Sequence, residues 1–221
     1  MIKAVLFDLD NTLIDFMRMK KNSIEEGVDA MIDAGLNIDK EKAIKMIYKI
    51  YEEEGMEDNK VFQKFLIKVM GKIDYRILAN GIVAYRRIRT GFLAPYPRVK
   101  RTLVKLKSKG LKIAVVSDAP KLKAWVRLSS TKLDDLFDVV VAYEDTREHK
   151  PSKLPFRKAF KMLGVKPEEC LMVGDWPERD IKGAKKVGMK TCFAKYGAVK
   201  EYKKVNSDYV IERIDEVLDI V

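Results

Sequence analysis

The sequence predicts an α/β protein: a parallel sheet with helices on both faces, interrupted by an all-helical insert. Three observations carry this expectation. Short apolar runs suited to buried strands alternate with amphipathic helical patterns. The helical patterns are long enough to serve as right-handed crossovers between parallel strands. The alternation lapses once, over residues 16–91, which read as helix alone.

The elements follow in chain order. The run Ile-Lys-Ala-Val-Leu-Phe at 2–7 reads as a short, largely buried strand. Within 16–91, helical spacing links Met31 with Ala34 and joins Ile44, Ile47, Tyr48 and Tyr51. The same spacing joins Phe62, Phe65, Leu66 and Val69, and then Ile77, Ala84, Tyr85 and Ile88. Pro95 and Pro97 mark the return to the sheet domain. A helix over 98–109 puts Val99, Leu103, Val104 and Leu106 on one face and stops at Gly110. Strands are then expected at 112–116, 139–141, 171–173 and 191–194, with a weaker one at 209–211. Helices at 153–163 and 179–187 end at Gly164 and Gly188. The expected architecture is thus a Rossmann-like core of residues 1–15 and 92–221 carrying a helical insert at 16–91.

The bulk numbers suit this organisation. A chain of 221 residues with 47% hydrophobic residues, 12 Gly and 7 Pro is ordinary for a globular protein with one insert. No run approaches the ~18 apolar residues of a membrane span. The N-terminus opens on a strand-like segment and lacks the features of a secretory signal, so a cytoplasmic location is expected. Cys170 and Cys192 sit in apolar runs without CxxC spacing and read as buried free thiols. The net charge of +11 could speak for nucleic acid. The basic residues are scattered among Asp and Glu instead, with no compact tract or stacking motif, so nucleic acid is not the expected partner.

In an open α/β sheet, ligands gather at the carboxyl ends of the strands. The first strand ends in Asp8-Leu9-Asp10-Asn11-Thr12 and the second in Ser117-Asp118. His149-Lys150-Pro151 follows the third. The fourth ends in Gly174-Asp175, with Asp180 five residues on. Four strand ends therefore offer carboxylates, a hydroxyl and an amine to one cleft. A lone Asp-x-Asp is weak evidence in a chain with 33 acidic residues; four such features in order are strong.

This set resembles the four motifs of the haloacid-dehalogenase superfamily, with the insert corresponding to its first-type cap. The resemblance covers essentially the whole chain. Within the superfamily it is nearest to archaeal small-molecule phosphatases, some assigned to glyceraldehyde 3-phosphate. It implies a Mg²⁺-dependent phosphatase of small phosphorylated metabolites. Asp8 would be the nucleophile and a metal ligand, Asp175 a second ligand, and Asp10 a third through its carbonyl. Asp10 would also protonate the leaving alcohol and then activate water. Ser117 and Asp118, through the hydroxyl and the amides that follow it, would hold the phosphoryl group beside Lys150. Thr12 and Asp180 would support the site. A hard, oxygen-ligated divalent ion suits this donor set, because a phosphate dianion repels a bare carboxylate nucleophile.

Two departures stand out. The proline usual after Lys-Pro in the third motif is displaced to Pro155, and Trp176-Pro177 places a bulky pair beside Asp175, read as loop packing. His149 is read as a bystander. Arg18, Lys20, Arg86, Arg87 and Arg89 are read as helix-surface charges rather than contacts to a second substrate charge. Asp10 and Asp175 disfavour a haloacid dehalogenase, since a departing halide needs neither proton nor metal. A sugar-phosphate mutase and a non-catalytic basic module are the remaining alternatives. A monomer or homodimer is expected.

Overall fold

Strand β1 (Ala4–Phe7) is four consecutive apolar residues, all fully buried, as a strand covered on both faces requires. The computed structural model describes residues 1–221. Five more strands follow: β2 (Lys112–Val116), β3 (Val139–Val141), β4 (Cys170–Gly174), β5 (Lys190–Ala194) and β6 (Tyr209–Ile211). All pair in parallel, in the order β3-β2-β1-β4-β5-β6. The winding reverses between β1 and β4, the switch point where such sheets bind ligands. Phe7 is level with Val115 of β2 and Val173 of β4. That register brings Asp8, Ser117 and Asp175 to one edge of the sheet within a residue of one another.

Four helices come between β1 and β2: α1 (Phe16–Asp33), α2 (Lys40–Glu54), α3 (Val61–Met70) and α4 (Tyr75–Phe92). The chain divides into two compact units, Arg18–Phe92 and the remainder, Met1–Met17 with Leu93–Val221. The helical unit has its own core, in which Ile24, Val28, Met31, Ile47, Phe62, Phe65 and Leu66 are buried together. Helix α2 is started by Asp39, whose carboxylate accepts the Lys42 N–H at 2.8 Å. Lys20 is not the surface charge its sequence context suggests. It is buried, donates to the Met56 carbonyl at 2.9 Å, and lies 4.0 Å from the centre of the Tyr51 ring. Its four-carbon stem fills the helical core while the ammonium finds a carbonyl and an aromatic face.

The sheet unit adds α5 (Val99–Ser108), α6 (Lys121–Ser130), α7 (Tyr143–Thr146), α8 (Lys153–Leu163) and α9 (Lys182–Lys185). Helix α8 packs Phe156, Ala159, Phe160 and Leu163 against Leu6, Ala114, Val116 and Met172. Truncating the fully buried Phe156 to Ala would cost about 3–5 kcal/mol. Two aspartates latch the starts of strands. Asp138 accepts the Ile113 N–H at 2.8 Å, and Asp208 accepts the Thr191 N–H at 2.8 Å and its hydroxyl at 2.7 Å.

Three expectations need correcting. Val104 belongs to the solvent face of α5, at 49% exposure, because it lies about 100° around the helix from Leu103. The helix expected at 179–187 is instead a π-helical turn, Pro177–Ile181, followed by the four residues of α9. Asp180 turns inward there and accepts the Trp176 N–H at 3.0 Å. Helix α6 was not anticipated, since Leu122, Trp125 and Val126 are exposed on it while Arg127 is buried. The two cysteines are free and buried as expected. No helix is long and apolar enough to cross a membrane.

Candidate active site

Lys150 sits at the centre of the strand-end cluster. Its ammonium lies 2.6 Å from Asp8 Oδ1 and 2.7 Å from Asp180 Oδ1, and donates to the Val116 carbonyl at 2.9 Å. Burial works against this cation, but the charges of Asp180, Asp8 and Asp118 outweigh it and push its pKa upward. Lys150 is therefore held charged, donating to Asp8 and the Val116 carbonyl and ion-paired with Asp180.

The carboxylates of Asp8, Asp175 and Asp180 converge, their nearest oxygens all within 4.8 Å of one another. Burial, then the charges of Asp8 and Asp180, raise the Asp175 pKa well above its ordinary value, against a hydrogen bond from Thr12. Burial likewise pushes Asp180 up to about 7, despite Lys150. Three carboxylates facing one ammonium leave an excess of negative charge in a buried, all-oxygen setting. That is the donor chemistry of a hard divalent cation, so the residues fit the Mg²⁺ that the sequence suggests.

Thr12 fastens β1 to β4. Its hydroxyl donates to Asp175 Oδ1 at 2.9 Å and accepts the Asp175 N–H at 3.1 Å. The Thr12 carbonyl in turn accepts the Tyr196 hydroxyl at 2.6 Å. Ser117 is buried and accepts the Ala119 N–H at 3.1 Å. Asp10 lies beside this group, its Oδ2 accepting from Arg127 at 2.5 Å.

The Asp118 side chain is turned to a structural task. Oδ1 accepts the Lys150 backbone N–H at 2.8 Å, and Oδ2 accepts from Arg179 at 2.9 Å. It thereby joins the loops after β2, β3 and β4. The Arg179 guanidinium in turn lies 4.0 Å from the centre of the Trp176 ring. Trp176 is 43% exposed, so it makes a ledge for Arg179 more than it packs the loop. His149 is exposed, stacks on Tyr143 at 4.5 Å between ring centres, and stands 3.8 Å from Asp118.

Sequence reasoning missed Arg127, Arg179, Tyr196 and Gly197. A Cβ on Gly197 would fall 1.6 Å from the Asn11 carbonyl oxygen, so the backbone after β5 presses directly on the loop after β1. The strand-end rule, applied to β5 as well, would have singled out Tyr196 and Gly197. Nothing in the sequence marks Arg127.

This layout, with carboxylates, a buried lysine and a hydroxyl at the carboxyl edge of a 3-2-1-4-5-6 sheet, identifies a class. The chain belongs to the haloacid dehalogenase-like hydrolase family, whose profile matches residues 2–188. It is 38% identical over 222 residues to the glyceraldehyde 3-phosphate phosphatase of Methanocaldococcus jannaschii, covering 100% of this chain and 97% of that one. To the protein of the same name from Pyrococcus furiosus it is 33% identical, covering 100% and 93%. Among solved structures it is similar to a HAD phosphatase from Thermococcus onnurineus, with a TM-score of 0.72 and 29% identity over 99% of this chain and 97% of that one.

Proposed function

We propose that this chain is a Mg²⁺-dependent phosphatase of small phosphate monoesters, with glyceraldehyde 3-phosphate as its foremost candidate substrate. The observation that carries the reading is Asp8 held 2.6 Å from a buried, charged Lys150 at the switch point of the sheet. The names of the relatives support the substrate. Residues 16–91 are assigned as the cap and residues 1–15 with 92–221 as the core, in keeping with two units that each have their own apolar interior.

In the first step Asp8 attacks phosphorus, the ester P–O bond breaks, and Asp10 gives its proton to the departing alcohol. In the second, Asp10 takes a proton from water as the water oxygen attacks phosphorus. The bond to Asp8 then breaks, freeing inorganic phosphate. Lys150 keeps Asp8 oriented and offsets charge on the transferring group, while the Ser117 hydroxyl holds a phosphoryl oxygen. Asp8, Asp175 and the Asp10 carbonyl would hold the metal, with Asp180 against Lys150. When bound, the ion supplies positive charge that lets a dianion approach a carboxylate.

The test is hydrolysis of p-nitrophenyl phosphate and a panel of small esters, with Mg²⁺, with EDTA, and by the Asp8→Asn variant. Turnover that needs both Mg²⁺ and Asp8 is expected, with a triose phosphate ranked high. Turnover indifferent to EDTA and to Asp8 would overturn the reading.

A further inference from the structure

Arg127 is buried on α6, at 7% exposure, and its guanidinium meets groups of the segment that follows β1, Asp10 and Phe16 among them. It donates to Asp10 Oδ2 at 2.5 Å and lies over the Phe16 ring, 4.4 Å from the centre. Asp10 and Phe16 flank the turn that leaves β1. A planar guanidinium stacked on a ring is confined in two directions, so the carboxylate bonded to it is confined as well. A carboxylate that must reach first a leaving oxygen and then a water gains from such confinement, because small misplacements of a proton-transfer group are expensive in rate.

We infer that Arg127 is a positioning residue that sets the Asp10 side chain for proton transfer, with Phe16 as the platform for its guanidinium. This rests on the reading of Asp10 as proton donor and acceptor. The bland alternative is a buried arginine that needs a counter-ion for stability and has taken the nearest one. The two differ in what they do to the separate steps. Nitrophenolate departs without a proton, so its burst reports transfer to Asp8 alone. The steady state also includes attack by water, which needs Asp10.

The experiment is rapid-mixing kinetics on the Mg²⁺-loaded protein with p-nitrophenyl phosphate. In Arg127→Met the steady-state kcat should fall about 10- to 100-fold, part of what a proton-transfer group supplies. The burst rate and kcat/KM should stay within about twofold, so that KM falls along with kcat. Arg127→Lys should recover part of the loss. In an Asp10→Asn background, Arg127→Met should cost nothing further. Burst and steady state falling together, or neither falling, would overturn the proposal in favour of a structural ion pair. If circular dichroism shows Arg127→Met unfolded, Phe16→Leu takes its place, since it removes the platform and keeps the charge. A smaller steady-state loss with the burst intact is expected there, and no loss would sink the idea. Undiminished turnover in Asp10→Asn would instead overturn the role of Asp10 itself.

Discussion

Asp180 Oδ1 lies 2.7 Å from Lys150 Nζ, and both side chains are almost wholly buried. Each is thus the other's condition for being inside the protein. Lys150→Met should destabilise the fold by about 3–5 kcal/mol, because it strands buried carboxylates without their cation. Adding Asp180→Asn should return a substantial part of that loss. Urea denaturation of the two single variants and the double variant measures this, and strict additivity would show that the pair is not coupled.

Asp175 is held in the fold against burial and the charges of Asp8 and Asp180. Without metal, Asp175→Asn should therefore raise the melting temperature, by about 2–4 °C for each kcal/mol relieved. In the wild type, Mg²⁺ should raise the melting temperature in a dose-dependent way, and EDTA should reverse it. The variant should lose that response along with turnover. A variant that is less stable than wild type in EDTA would contradict this account.

Gly197 admits no side chain, since its Cβ would meet the Asn11 carbonyl oxygen at 1.6 Å and Asp175 Cβ at 3.2 Å. The nearer obstacle is backbone, which cannot rotate away. Gly197→Ala should cost about 1–3 kcal/mol or more and weaken Mg²⁺ binding measured by calorimetry, because it displaces the Asp8–Thr12 turn and Asp175 together. Normal Mg²⁺ affinity in the variant would show that the turn absorbs the methyl group harmlessly.

The Asp208 carboxyl is opposed by burial, but the hydroxyl and amide of Thr191 outweigh this and hold its pKa below the usual value. A carboxyl depressed in the fold adds stability above its unfolded pKa of about 3.9, and that stability is lost as pH falls through the folded value. Asp208→Asn should be less stable than wild type at pH 7 by about 0.2–0.5 kcal/mol, since water screens this exposed carboxylate, with the gap closing below about pH 4. Urea midpoints at pH 7 and pH 3 decide it, and an equal gap at both would sink the argument.

Most strands were legible because they are largely apolar runs ended by a glycine or polar residue. The candidate site was legible because its residues lie at or beyond the ends of those runs. Asp8, Ser117, Lys150 and Asp175 could therefore be read in order along the chain. What escaped depends on contacts between distant segments. Helix α6 hides its pattern by exposing Trp125 and burying Arg127. The contact of Arg127 with Asp10, 117 positions earlier, is visible only in the fold. Asp118 follows the motif serine, yet its oxygens are spent on Arg179 and the Lys150 amide. Within the π-helical turn at Pro177–Ile181, Asp180 pairs with Lys150, a tertiary contact that the local helical pattern does not reveal.

The segments that leave and rejoin the sheet unit run beside each other. The Asp15 N–H bonds the Ala94 carbonyl and the Tyr96 N–H bonds the Leu13 carbonyl, each at 3.0 Å. The excursion thus begins and ends about one strand spacing apart, roughly 5 Å, a gap that a hairpin turn of two residues spans. To the sheet, everything between those bonds is a cassette. It can be shortened, lengthened or exchanged without asking any strand to change its neighbour. Sequence change confined to this cassette can leave the strand-end cluster of Asp8, Lys150 and Asp175 untouched.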